Sequence, residues 1–304
     1  MVSRFFEEGL LNRSDHMDAV GSTPAHSFYK EREMEKRVAL VLGAVKGIGR
    51  EIGLSLARRG IKTALTWHDW EESLPEMEAA FKETGCDYEV VKIDLTDTTA
   101  ISGLIQKAIR RFGRLDILIN NIERGGMPVV HGSYTRNQWE LEVATTLTAK
   151  RWVFEEALPY LKESPDGAVI NISSIAGVVG RSGPVSYIFN EGYSALNRGI
   201  SLLTETWARL GAPNVRVNEL MLGIVDTRHG KKTRGWGMHP EEVKEGLLEH
   251  TLLKRTGTPQ DVVKAVHFLL FDAPFMTGST LRLDGGYVLG GEIIWPMPEG
   301  VEKL

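Results

Sequence analysis

Residues 37–60 read RVALVLGAVKGIGREIGLSLARRG. After Arg37 comes an uninterrupted apolar run, Val38 to Leu42, that stops at Gly43. A strand covered on both faces needs no polar alternation, so this run reads as a buried parallel strand. Gly47 and Gly49 follow, and Ile48, Ile52, Leu56 and Ala57 then recur at helical spacing until Gly60. A strand that ends in glycines and opens a helix lets backbone N–H groups approach a pyrophosphate, where the helix N-terminus favours negative charge. The same glycines also serve tight strand–helix packing, so their context decides between the two uses.

That context is a regular alternation. KTALTW (62–67), a charged helix near 70–84, YEVVKI (88–93), a helix near 98–112 and LDILIN (115–120) follow in turn. Next come a long helix from about 137 to 162, GAVINIS (167–173), a helix from about 185 to 210 and NVRVNEL (214–220). HPEEVKEGLLEH (239–250) is a short amphipathic helix with Val243, Leu247 and Leu248 inward, 259–271 is helical, and STLRLD (279–284) is a last strand. Strand and helix alternating at this length predict right-handed crossovers. The expected fold is α/β: one doubly wound Rossmann-like domain over 37–290, a parallel sheet of about seven strands with helices on both faces. Residues 1–36 form an extension whose apolar patch (Phe5, Phe6, Leu10, Leu11) either docks on a neighbour or belongs to a loose tail, and 291–304 form a second tail.

Composition narrows the function classes. The 304 residues are 42% hydrophobic, enough for a substantial core. Lys and Arg number 36 against 40 Asp and Glu, a net charge of −4, which offers no positive field to gather nucleic-acid phosphates. Cys86 is the only cysteine, which precludes an intramolecular disulfide and fits a reducing compartment. No run approaches the ~18 apolar residues of a membrane span, and Glu7 and Glu8 interrupt the place of a signal-peptide core. A cytoplasmic protein without membrane or nucleic-acid partners is expected.

Two features near the turn bear on the dinucleotide. The second strand ends at Thr66-Trp67-His68, with no carboxylate at Trp67 to take a ribose 2′-hydroxyl, and Lys46 directly before Gly47 could reach a 2′-phosphate. Both favour NADP(H) over NAD(H). Lys46 as a solvated loop charge is the plainer alternative. Asp94, before Leu95, is placed to cap an adenine or the following helix.

Taken in order, these segments resemble the short-chain dehydrogenase/reductase family over about residues 37–288. GAVKGIG (43–49) resembles the family's TGxxxGIG turn, and Asn120-Asn121 the start of its NNAG segment. NISS (171–174) resembles the strand bearing a catalytic serine, and Tyr187, 13 residues after Ser174, has the spacing of the catalytic tyrosine. VRVNELMLGIVDT (215–227), with Gly223, Val225 and Thr227, resembles the segment lining the nicotinamide, and LDGGY (283–287) the C-terminal signature. The resemblance implies hydride transfer between NAD(P)H and a carbonyl or alcohol. It implies a tyrosine acid/base, a serine orienting the substrate oxygen, a lysine that binds the ribose and lowers the tyrosine pKa, and an asparagine holding a relay water. It also implies a homodimer or homotetramer through the helices at about 137–162 and 185–210.

The chain departs from that pattern at several positions, and they are concentrated. The lysine position is Glu191, the asparagine position, seven residues after Trp139, is Thr146, and NNAG has become NNIE with Ile122 and Glu123. The threonine before the glycine turn is Leu42, and the proline of the family's PG pair is Leu222. A tyrosine titrates near ~10, and two unit charges ~5 Å apart at an effective dielectric of ~20 interact by roughly 3 kcal/mol, about two pKa units. A lysine would move Tyr187 towards neutrality by that amount, whereas an ionised Glu191 opposes it and a protonated one gives no help. Lys150, one turn beyond Thr146, could supply a charge from the long helix or could pair in a subunit contact. Three functions remain open: an oxidoreductase with a modified site, a nucleotide-binding, regulatory or structural subunit on the same fold, and a lyase- or isomerase-like enzyme with Glu191 as base. A lid over about 226–256, with Arg228, His229, Lys231, Lys232, Arg234 and Trp236, suits an anionic substrate such as a phosphate-bearing thioester carrier, or is a solvated mobile loop.

Overall fold

β1 (Val38–Val41) is buried along its whole length, as its unbroken apolar run requires. The computed structural model describes residues 37–122, 135–180, 191–227, 236 and 239–291. Within them the chain continues through α1 (Gly47–Ala57), β2 (Lys62–Trp67), α2 (Leu74–Glu83), β3 (Tyr88–Lys92), α3 (Ile101–Phe112) and β4 (Ile117–Asn120). Then come α4 (Arg136–Glu142), a π-helical turn (Val143–Thr148), α5 (Ala149–Glu163), β5 (Gly167–Ser174), α6 (Ala176–Val179), α7 (Glu191–Gly211) and β6 (Val215–Leu222). α8 (Glu241–His250), α9 (Pro259–His267), a second π turn (Phe268–Asp272) and β7 (Thr280–Leu283) complete the order.

The seven strands form one parallel sheet in the order β3-β2-β1-β4-β5-β6-β7, which is the doubly wound Rossmann-like architecture. Alternate residues of each strand feed opposite layers. Ala39 and Val41 pack with Ile52 and Leu56 of α1, Phe81 of α2 and Val262 and Val266 of α9. Val38 and Leu40 pack with Leu104 of α3, Phe154 of α5 and Trp207 of α7, the last two rings stacked 4.5 Å apart. The order in which successive strands join the sheet reverses between β1 and β4, so the carboxyl ends of the central strands open a crevice there.

The elements differ from the sequence expectations mainly at their ends. The long helix near 137–162 is α4, a π turn and α5 in succession. A π turn widens the hydrogen-bond pattern to i→i+5 and needs no glycine or proline to announce it. The helix near 98–112 starts at Ile101, because Thr98–Ala100 is a 3₁₀ turn capped by Asp97, whose side chain accepts from Thr99 N. Cys86 is half-buried, its Sγ donating to Ile61 O at 3.4 Å, and burial pushes its thiol pKa up. Among the described residues no helix is long and apolar enough to cross a membrane, and no His/Cys/Asp/Glu cluster is placed to hold a metal. The extension over 1–36, the tail from 292, Glu123, Tyr187 and most of the lid lie outside the described residues.

Candidate nucleotide and active site

The sequence-predicted site residues that the structure describes gather at the carboxyl ends of the strands, apart from Thr146 and Glu191 on helices. After β1 the chain turns through Gly43 and Gly47, both in the left-handed region (φ +65° and +61°). A Cβ on Gly43 would lie 2.5 Å from Asn121 O, and one on Gly49 would lie 2.2 Å from Gly43 O. Only glycine lets strand, helix and the Asn121 segment meet so closely. The Asn121 amide donates to Leu42 O and Gly43 O at 3.4 and 3.3 Å, and Gly43 N donates to Thr66 Oγ1 at 3.1 Å. A Cβ on Gly47, by contrast, meets nothing within 4 Å, so its backbone is open to an approaching group. Ile48 is half-buried behind it. α1 has no acidic residue in its first turn and no side-chain cap, which leaves its first N–H groups to an anion. This cradle fits a dinucleotide pyrophosphate.

Lys46 and the end of β2 form the next region. Lys46 Nζ lies 2.9 Å from the centroid of the Trp70 ring, and burial lowers its pKa. Trp70 holds this position through a left-handed backbone (φ 71°), rare for so large a residue. Lys46 is therefore no free loop charge, and Trp70 is a participant that sequence spacing could not reveal. His68 is exposed, with Nε2 3.8 Å from carboxylate oxygens of both Asp69 and Asp94. Asp94 Oδ1 accepts from Thr96 N and Oγ1 at 2.9 and 2.7 Å. It caps its own turn, while Asp97 caps the 3₁₀ turn that leads into α3. Leu95 is buried in the core layer beneath.

Asn120 is buried at the end of β4 and donates to Asn171 Oδ1, whose own amide donates to Thr204 Oγ1, tying β4, β5 and α7 together. Ser174 closes β5. Its N–H donates to Asn197 Oδ1 at 2.9 Å, and its hydroxyl accepts from Ala176 N at 3.2 Å. The Asn197 amide donates back to Tyr193 O at 3.0 Å. A Cβ on Gly177 would sit 2.7 Å from Arg198 N, so α6 and α7 touch backbone to backbone beside the serine. Asn197 was not among the residues expected from sequence, because its role depends on this packing alone. Glu219 is likewise unexpected: fully buried on β6, it accepts hydroxyl bonds from Ser173, Ser201 and Thr280.

On β6's loop, Gly223 lies where a Cβ would meet Asp284 Cα at 2.6 Å, so the DGG segment seals the loop. Val225 bridges to Gly257, and Thr227 is buried. Thr146 is buried in the π turn, and its hydroxyl has no hydrogen-bond partner among the described residues. One turn on, Lys150 is also fully buried, with Nζ donating to Ile172 O at 2.7 Å. Glu191, in the first turn of α7, is exposed.

The comparisons with known proteins agree with this geometry. Residues 43–288 match a family model described as enoyl-(acyl carrier protein) reductase. The 3-oxoacyl-(acyl-carrier-protein) reductase FabG of Thermotoga maritima is 28% identical over 260 residues, 84% of this chain and 99% of that protein. A cis-4-hydroxycyclohexanecarboxylate dehydrogenase of Sinomonas cyclohexanicum is 30% identical over 254 residues, 83% of this chain and 96% of that one. Among solved structures, a double mutant of a short-chain dehydrogenase/reductase from Serratia marcescens superposes with a TM-score of 0.70 at 25% identity, covering 83% and 97% of the two chains.

Proposed function

This chain belongs to the short-chain dehydrogenase/reductase family, and we propose that it is an NADP(H)-linked oxidoreductase that reduces a carbonyl or oxidises an alcohol with a non-standard active site. The observation that carries the reading is the glycine turn. Gly43 and Gly49 make close backbone contacts that no side chain would allow, and Gly47 presents open backbone at an uncapped helix start. The bound dinucleotide supplies or accepts the hydride. The chain's own residues do the rest: Lys46, steered by Trp70, meets a 2′-phosphate, Asn120 and Asn121 wall the crevice, and Gly223, Val225 and Thr227 line its nicotinamide side. Ser174, held by Asn197, orients the substrate oxygen, and Tyr187 exchanges a proton with it. Basic residues between Arg228 and Arg234 favour an anionic substrate, and the likeness to acyl-carrier-protein reductases makes an acyl thioester the first to try. The working assembly is a homodimer or homotetramer in the cytoplasm.

Titration with NADPH, followed by turnover against a carbonyl panel that includes a 3-oxoacyl thioester, tests the reading. Micromolar binding with substrate-dependent NADPH consumption is expected, with NADH bound more weakly. Saturable binding without turnover across the panel would overturn it. That result would support a second reading, a catalytically impaired nucleotide-binding, regulatory or structural subunit, which Glu191 in place of the family's lysine favours. Glu191→Lys separates the two further: a gain of orders of magnitude in reductase rate is expected if the lost cation is the main lesion.

A further inference from the structure

Trp70 stands in the turn between β2 and α2, and its backbone is left-handed although it is neither glycine nor asparagine. A 3₁₀ turn (Glu71–Ser73) follows it directly, and the indole stays half-buried against the core layer that holds Ile52 and Phe81. Lys46, the residue before α1, reaches this turn in extended backbone (φ −157°, ψ 175°) and sets its ammonium over the indole ring. The nearby carboxylates have other partners. Glu71 pairs with Lys92 at 3.2 Å, Glu76 with Arg50 at 2.9 Å, and Asp69 and Asp94 flank His68 at 3.8 Å. Glu72 is exposed, and its field acts on Lys46 without an ion pair among the described residues. The ammonium thus rests on an aromatic face and not on an anion. A carboxylate partner would neutralise Lys46 and take up its donors. A ring face does neither, because it holds the cation from one side and leaves N–H groups directed away from the ring for a second partner.

We propose that Trp70 is a positioning residue that sets the preference for a 2′-phosphate: its indole holds the Lys46 ammonium in place, and the phosphomonoester closes on the far side, so that the cation lies between ring and anion. The proposal deepens the NADP(H) linkage given above and rests on it. A lysine free in solvent has a flexible four-carbon stem to order when it binds, and that loss offsets much of a single phosphate contact. Here the ring orders the stem before the nucleotide arrives, so more of the contact appears as affinity. The ligand selected is a nucleotide with a phosphomonoester on the ribose 2′ oxygen. Its 2′-hydroxyl counterpart brings no charge to the ammonium and gains nothing from the ring behind it.

Calorimetric titration with adenosine 2′,5′-bisphosphate and with adenosine 5′-monophosphate measures the preference as a ratio of affinities, without requiring turnover. In the unmodified protein the bisphosphate is expected to bind about tenfold tighter or more, and Lys46→Met should bring the ratio close to one. Trp70→Leu keeps an apolar side chain and removes the π face. It should lower the ratio about fivefold, the size of one partly exposed cation–π contact, and Trp70→Phe should retain most of the preference. Indole emission gives a second readout: the bisphosphate should shift it and the monophosphate should not. That difference should vanish in Trp70→Phe, which singles out Trp70 among the chain's seven tryptophans. Should Trp70→Leu fail to fold, Trp70→Asn decides, since asparagine accepts the left-handed backbone. A ratio left unchanged by removal of the ring would show that the indole only packs, and a raised ratio that it competes with the phosphate; either overturns the proposal. Equal binding of the two nucleotides by the unmodified protein, or binding of neither, would instead remove the NADP(H) linkage itself, and the proposal with it.

Discussion

Gly47 and Gly49 lie two residues apart and answer to different constraints. Alanine at Gly49 would drive a methyl into Gly43 O and the Asn121 amide, so Gly49→Ala should lower stability by about 2 kcal/mol or more and abolish nucleotide binding, read by thermal melts and NADPH titration. Gly47→Ala meets no atom, and only its positive φ costs, about 1 kcal/mol. The fold should survive with nucleotide affinity reduced, because a methyl then covers the open backbone. Asn197→Ala leaves the Ser174 N–H without its acceptor, and a loss of about 1–3 kcal/mol in stability is expected, with kcat falling more than KM rises. The glycines could be read in the sequence because their spacing after an apolar run is itself the signal. Asn197 and Trp70 could not, since one depends on how α7 meets β5 and the other on a left-handed backbone that no pattern announces.

Among the elements, strands were the most legible, because a strand buried on both faces writes its burial directly into composition. β5 is buried from Gly167 to Ser174. Helix interiors were also legible, and their interruptions were not: the π turn breaks the helix expected over 137–162 at VATTLT, where neither glycine nor proline marks it. Helix α9 shows what a well-written start looks like. Thr258 and Asp261 form a reciprocal capping box, and Thr258→Ala should cost about 1 kcal/mol in a denaturant melt. The Arg255 guanidinium, joined by bonds from Thr258, holds the Asp261 carboxyl at about 2. A depressed carboxylate contributes stability above its unfolded value, near 3.9, and loses it as the pH falls towards 2. The stability gap between the unmodified protein and Asp261→Asn should therefore be steady near neutrality and close between about pH 4 and 2. Arg255 is exposed and Asp261 only half-buried, so solvent screens the pair and the gap itself is small.

At the scale of the molecule, the sheet order brings six strand ends to one crevice, and this is why residues scattered from Gly43 to Thr227 belong to a single site. Topology of this kind followed from the alternation of elements. The outer faces of the helices carry a different message: Trp152 on α5 and Leu202 and Leu210 on α7 are exposed. Arginine at Leu202 and Leu210 together should shift the protein towards monomer in light scattering while leaving its melting profile cooperative. The seal on the loop after β6 has a consequence in time. Asp284 packs on Gly223 and caps Gly286 and Val288, and Tyr287 lies against His250 of α8. These fastenings come from the domain's last residues to leave the ribosome. A nascent chain can thus hold every residue of its phosphate cradle, all of them before 122, while the substrate side stays unlatched until Asp284 has emerged. Chains stalled short of Asp284 should accordingly be retained on a nucleotide resin yet be cut by protease after β6.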